Sequence, residues 1–275
     1  MLSLPRRQWL CRAGAIGIAG LAGCSLNMSP PTRIPIDVLR PPGGACEGLA
    51  QLPPVLLVML PGAWSRPPEF IDEGFVAAVR SRGIAADIAI ADAHPGYFNE
   101  RSVLTRLRED VVLPARAMGY AQIWLVGISL GGFAALGYAA RYADEVDGLV
   151  VLAPYLGRRQ LLDEIDAAGG PMAWRSSAHA PPTDDEPERL VWEWLTARAA
   201  APTAPATTRL PIFLGHGDTD RFVAAHRLRA GVLPAGRSVA VPGGHDWAPW
   251  RALWAQWLDR GLLPSECSAA SPAPR

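Results

Sequence analysis

The sequence predicts an α/β protein: a mainly parallel central sheet with helices on both faces and a small helical cap insertion. Three observations carry that prediction. Several short apolar runs, such as Val55-Leu56-Leu57-Val58-Met59-Leu60, lack the polar alternation of a half-exposed strand, as strands buried on both faces do. These runs alternate with segments of helical spacing, the pattern of a parallel sheet. One run, Trp124 to Ile128, passes through Gly127-Ile128-Ser129-Leu130-Gly131 straight into an Ala-rich helical segment.

In chain order, Pro54 to Leu60 reads as the first central strand. Glu69 to Arg82 reads as a helix, with Phe70, Ile71, Phe75, Val76 and Val79 on one face. A strand is expected over Ile84 to Ala91. Val103 to Met118 returns to helix, and Pro114 within it predicts a kink or break. Ile123 to Val126 is a strand, Leu130 to Tyr142 a helix and Leu149 to Leu152 a strand. Alternation then stops. Residues 156–208 hold a helical piece (Arg159 to Ala168), a Gly-Gly-Pro break, an acidic turn, Trp192-Glu193-Trp194 and a Pro/Ala/Thr stretch. They read as an insertion over the C-terminal edge of the sheet, in which Trp174, Trp192 and Trp194 either line a pocket or anchor the segment. Leu210 to Leu214 and Ser238 to Val241 are the last strands. Trp247, Trp250, Trp254 and Trp257 follow at spacings of three, four and three, one face of a helix that packs on the sheet. Trp247, two residues from His245, is the member expected to reach that imidazole or a ligand.

The Gly-x-Ser-x-Gly turn carries the chemistry. Strand and helix crowd around it, so the flanking Gly127 and Gly131 suit it, and Ser129 projects above the sheet edge. The Leu130 N–H lies at a helix N-terminus, where donors are unpaired and negative charge is favoured. A serine hydroxyl needs a base to take its proton, and the base needs an acid to orient it. Downstream, Leu210 to Leu214 ends in Gly215-His216-Gly217-Asp218-Thr219-Asp220, and a Gly243-Gly244 turn delivers His245. Each group follows a predicted strand, where a parallel sheet places its crevice. Of the five histidines, His216 reads as a brace for its turn and His226 falls inside a helix.

On GISLGG around Ser129, HGDTDRFV around Asp220 and PGGHDW around His245, the chain resembles the α/β-hydrolase superfamily, and within it the esterase-like bacterial serine hydrolases. The resemblance spans roughly residues 53 to 262 with a divergent middle. It implies a Ser129–His245–Asp220 triad, acyl-enzyme chemistry on an ester or related acyl bond, and a small-molecule or lipid-like substrate. It selects Asp220 as the acid, with Asp218 as runner-up or as a turn residue bonding its own backbone. It places the second oxyanion donor, beside Leu130, in the loop after the first central strand, at Ala63. That family usually has His-Gly there; Pro61-Gly62 is a departure. Trp64 either walls the site or packs under the loop. A non-catalytic envelope lipoprotein and an acyltransferase are the alternatives.

A chain of 275 residues, 49% hydrophobic, fits one large domain. Formal net charge is zero, so nothing suggests nucleic-acid binding. All 26 basic residues are arginine, a compositional bias. No cofactor and no metal-ligand spacing is expected. Arg6-Arg7, an apolar stretch and Leu21-Ala22-Gly23-Cys24 resemble a bacterial lipoprotein signal, with a degenerate twin-arginine motif. The expected organisation is signal peptide 1–23, lipidated tether 24–52, hydrolase domain 53–264 and tail 265–275. Cys24 would then carry lipid and hold the protein on the membrane of the cell envelope, on the periplasmic face of the outer membrane, since Ser25 and no aspartate follows. An ordinary signal peptide is the other reading. Cys46 and Cys267 either form a disulfide, which an oxidising compartment permits, or remain free thiols.

Overall fold

The computed structural model describes residues 29–41, 55–177, 186–201, 210–228, 232–234 and 236–263. The expected signal peptide (1–23), Cys24, Cys46, His179 and Cys267 lie outside the described residues. Seven strands form one sheet: β1 (Ile36–Leu39), β2 (Val55–Leu60), β3 (Ala86–Ala91), β4 (Gln122–Ile128), β5 (Gly148–Leu152), β6 (Ile212–Gly217) and β7 (Ser238–Val241). Their spatial order is β1-β3-β2-β4-β5-β6-β7. β1 is antiparallel to β3, and every other pairing is parallel.

The chain first builds outward from β2 to β3, then returns to place β4 on the other side of β2. Strand order therefore reverses between β2 and β4, and ligand crevices of open α/β sheets sit at such a switch point. Register brings the ends of the two strands level, with Leu60 opposite Gly127.

β2 shows why the central strands are continuously apolar. Val55, Leu57 and Met59 enter the core on one face, and Leu56, Val58 and Leu60 that on the other. The first face is covered by α1 (Glu69–Asp72), α2 (Phe75–Arg80) and the terminal helix α11 (Trp247–Asp259). The second lies under α3 (Pro95–Asn99), α4 (Val103–Leu107), α5 (Leu113–Met118) and α6 (Leu130–Tyr142). The insertion supplies α7 (Arg159–Ala167), α8 (Pro171–Ser177) and α9 (Pro187–Ala200), and α10 (Val223–Leu228) follows β6.

Three features depart from the sequence reading. Ile36–Leu39 is an edge strand rather than tether. Its Pro-interrupted composition hides it, and tertiary contacts hold it in place. The Ile34 N–H donates to Asp110 (3.1 Å), the Arg80 guanidinium donates to the Leu39 carbonyl (2.8 Å), and the Tyr97 hydroxyl lies 2.8 Å from the carbonyls of Pro31 and Arg33. The helix expected over Glu69 to Arg82 is two, because Gly74 sits at φ 78° and ends the first. Pro114, which has no N–H to donate, follows a π-helical turn over Arg108–Val112 that joins α4 to α5 without ending the rod. Within the insertion, the structure decides between the two roles left open for its tryptophans. Trp174 and Trp192 are buried, and the Trp192 indole donates to the Leu156 carbonyl (2.7 Å), so both are anchors. Trp194 is partly buried beneath the Arg198 guanidinium.

Candidate active site

Ser129 stands between β4 and α6 with φ 52° and ψ −112°, a conformation that L-residues avoid. Neighbours over-determine it. Its N–H donates to the Leu152 carbonyl (2.9 Å), and its carbonyl accepts from the N–H groups of Phe133 and Tyr155 (both 3.0 Å). The flanking glycines make the approach feasible. A Cβ on Gly127 would overlap the Gly131 carbonyl, and one on Gly131 would overlap the carbonyls of Leu60 and Pro61. Strand β4, helix α6 and the end of β2 thus meet at the serine.

The acid turn and the histidine loop are built as one unit. After β6, the Asp218 carboxylate accepts the Gly243 N–H (3.0 Å), while the Thr219 N–H and hydroxyl donate to the Gly243 carbonyl (3.0 and 2.8 Å). Asp218 is therefore the brace of the Gly243-Gly244 turn, and Asp220 is the carboxylate that faces His245. His245 Nδ1 lies 2.8 Å from Asp220 Oδ2, and His245 Nε2 lies 3.0 Å from Ser129 Oγ. With a neutral imidazole protonated on Nδ1, the ring donates to Asp220 and accepts the serine hydroxyl proton. The other Asp220 oxygen accepts the Phe222 N–H (2.7 Å). Asp220 is 1% exposed and Ser129 6%, so these bonds run in a largely dry setting, where electrostatic interactions are stronger.

Aromatic rings fix the imidazole plane. Phe222 meets His245 edge-on at 5.0 Å and Trp250 does so at 5.1 Å. The sequence reading favoured Trp247 for this contact. Trp247 instead packs against Phe70, Phe75 and Trp250, because the first turn of α11 aims it at α1 and α2. Trp250 is one turn further along the same face. Phe222 had a signal too, as it sits two residues after the acid.

His216 is buried, with Nδ1 2.8 Å from the Gly217 carbonyl, and stacks on His226 at 4.4 Å. His226 Nε2 in turn lies 3.9 Å from Asp220 Oδ1. The pair packs behind the acid. Pro61 to Trp64 form the loop after β2, and a Cβ at Gly62 would lie 3.4 Å from Ser129 Cβ, so Ala63 is on the loop that borders the serine. Leu130 is the first residue of α6. Trp64, at 90% exposed, neither walls the serine nor packs under the loop; it projects into solvent from the turn closed by the Ser65 N–H on the Gly62 carbonyl. Among the described residues no cluster of three or more His, Cys, Asp or Glu could hold a metal.

A family model described as the alpha/beta hydrolase fold matches residues 107–210. The chain has the α/β-hydrolase fold. The matched span contains the Ser129 turn and stops before Asp220 and His245, so the meeting of the three rests on the geometry above. Solved structures agree on the fold. Est1E from Butyrivibrio proteoclasticus is 16% identical with a TM-score of 0.56, covering 83% of this chain and 93% of its own. An S-formylglutathione hydrolase from Staphylococcus aureus is 14% identical with a TM-score of 0.55, covering 82% and 90%. A fluorophosphonate-binding serine hydrolase from Staphylococcus aureus is 12% identical with a TM-score of 0.51, covering 81% and 91%. No curated protein matches by sequence.

Proposed function

We propose that this chain is a serine hydrolase that cleaves an ester or related acyl bond, of the carboxylesterase type. The observation that carries the proposal is the unbroken line Ser129 Oγ–His245 Nε2 (3.0 Å) and His245 Nδ1–Asp220 Oδ2 (2.8 Å) at the sheet's switch point. The esterases and serine hydrolases among the structural neighbours support it. Ser129 Oγ bonds to the acyl carbon as its proton passes to His245 Nε2. The N–H groups of Leu130 and Ala63 hold the oxyanion, each contributing about 3–4 kcal/mol of transition-state stabilisation. His245 returns the proton to the departing oxygen as the acyl–oxygen bond breaks. Asp220 holds the tautomer and stabilises the imidazolium. Water, deprotonated by His245, then repeats the sequence and frees the acid and Ser129.

A fluorophosphonate probe on the full-length chain tests this. Wild type is expected to label, and folded Ser129→Ala and His245→Ala variants are not. A folded wild type that stays unlabelled overturns the reading. The leader and Cys24 support the further proposal of a lipid-anchored envelope protein. Its test is fractionation: Cys24→Ala moves to the soluble fraction if the anchor is real.

A further inference from the structure

A concave apolar surface runs along α6, the helix whose first residue, Leu130, follows Ser129. Phe98 of α3, Leu104 of α4, Leu130 and Phe133 of α6, Tyr155 after β5 and Leu190 of α9 line a cleft of about 400 Å³. All six are only partly buried. Large apolar side chains gathered around a concavity are what ligand sites use. The cleft is tied to the nucleophile by the backbone: Leu130 follows Ser129 directly, and the N–H groups of Phe133 and Tyr155 both donate to the Ser129 carbonyl. Charged residues, Arg101, Arg141 and Glu188, also border it.

We infer that this cleft binds the acyl part of the substrate, and that the acyl part is an uncharged apolar chain of medium length. The inference rests on the hydrolase reading and adds which side of the scissile bond the cleft serves. His245 must reach the departing oxygen, and it lies after β7 with its acid after β6. The cleft runs along α6, between α3 and α4, which follow β3, and Tyr155 and α9, which follow β5, and neither His245 nor Asp220 lines it. The leaving group therefore faces His245 and the acyl substituent points past Leu130 into the cleft. Size sets the class. An apolar cavity of about 150 Å³ holds benzene, so this cleft has room for an acyl chain of roughly six to ten carbons.

Gly137 gives the test. It lines the cleft from α6, and a Cβ there would stand 3.5 Å from a Leu104 methyl, an ordinary contact. Leucine at 137 fills the cleft without deleting any wall, and Gly137→Ala is a milder variant that also favours the helix. Full-length wild type, Gly137→Leu and Gly137→Ala are assayed with p-nitrophenyl esters from acetate to dodecanoate, and with acetate esters of alcohols from ethanol to octanol. Burial of each methylene is worth about fourfold. The octanoate-to-acetate ratio of kcat/KM in wild type should therefore exceed tenfold. It should fall at least tenfold in Gly137→Leu and less in Gly137→Ala, while the preference among alcohols is the same in all three. An acyl profile that is flat, or identical in wild type and Gly137→Leu, overturns the inference, as does a change in alcohol preference instead. Octanamide binding to Ser129→Ala, by calorimetry, separates the two readings. Binding that Gly137→Leu abolishes, in a protein that turns over no ester, supports the cleft and overturns the hydrolase proposal. Absence of both turnover and binding overturns both.

Discussion

Ser129 stores backbone strain, and replacing it separates strain from chemistry. At φ 52° and ψ −112° a residue bearing a Cβ is destabilised by about 1–3 kcal/mol relative to one without. Ser129→Ala and Ser129→Gly both lose the hydroxyl and its 3.0 Å bond to His245. Their difference in stability therefore reports the Cβ alone. Glycine releases the strain but loses about 0.5–1 kcal/mol more backbone entropy on folding. The balance favours Ser129→Gly over Ser129→Ala by about 1 kcal/mol. For a chain of this size that is a rise of about 2–4 °C in Tm. Three backbone hydrogen bonds pin the turn, from Ser129 to Leu152 and from Phe133 and Tyr155 to Ser129, so the conformation should survive both substitutions. Urea unfolding of the two variants in parallel, followed by circular dichroism, is the assay. Ser129→Ala equal to or more stable than Ser129→Gly would refute the reasoning, because no strain would then reside at the position. Both variants should be inactive.

Phe222→Ala and Trp250→Ala each remove a ring that holds the His245 plane; kcat should fall at least tenfold in each with a smaller change in KM, and an unchanged kcat would show that the imidazole needs neither. Gly217→Ala drives a Cβ into the carbonyls of Gly243 and Gly244, separating the acid turn from the histidine loop. Fluorophosphonate labelling should drop at least tenfold, with a loss of about 2 kcal/mol or more in urea unfolding, in the range of other strained or overpacked substitutions. Hydrogen-bonded Arg108 holds the Glu145 carboxyl below its ordinary 4.5, so the stability Glu145 contributes is present above pH 4.5 and lost as pH falls through the lower folded value; Glu145→Gln should flatten that acid limb in thermal melts. In the alkaline direction, burial and then Glu188 push Tyr155 up to about 12, and burial and then the hydrogen bond to Glu145 push Tyr138 higher still. Stability held by their neutral forms is present below pH 10 and lost as pH rises through their raised folded values, and Tyr138→Phe should soften the alkaline limb.

The order of strands and helices was legible because burial on both faces leaves a run such as Val55 to Leu60 no polar position, and Leu130 to Tyr142 begins and ends where its pattern does. Ser129, Asp220 and His245 were legible as candidates because each follows a strand. The sequence alone left Asp218 beside Asp220 as an alternative acid. Only the fold separated them, since Asp218 is spent on the Gly243 N–H and Asp220 faces the imidazole. The strand Ile36–Leu39 had no local signature, because its place depends on β3, Tyr97, Asp110 and Arg80, all distant in the chain. Spacing put four tryptophans on one face of α11, yet which of them meets His245 turns on the angle at which that helix leaves its cap. The apolar cleft was invisible for the same reason: α3, α4, α6 and α9 contribute to it from residues 98 to 190. Local pattern determines which residues are buried and where the chain turns. Which distant side chains share a wall is decided by the packing of layers.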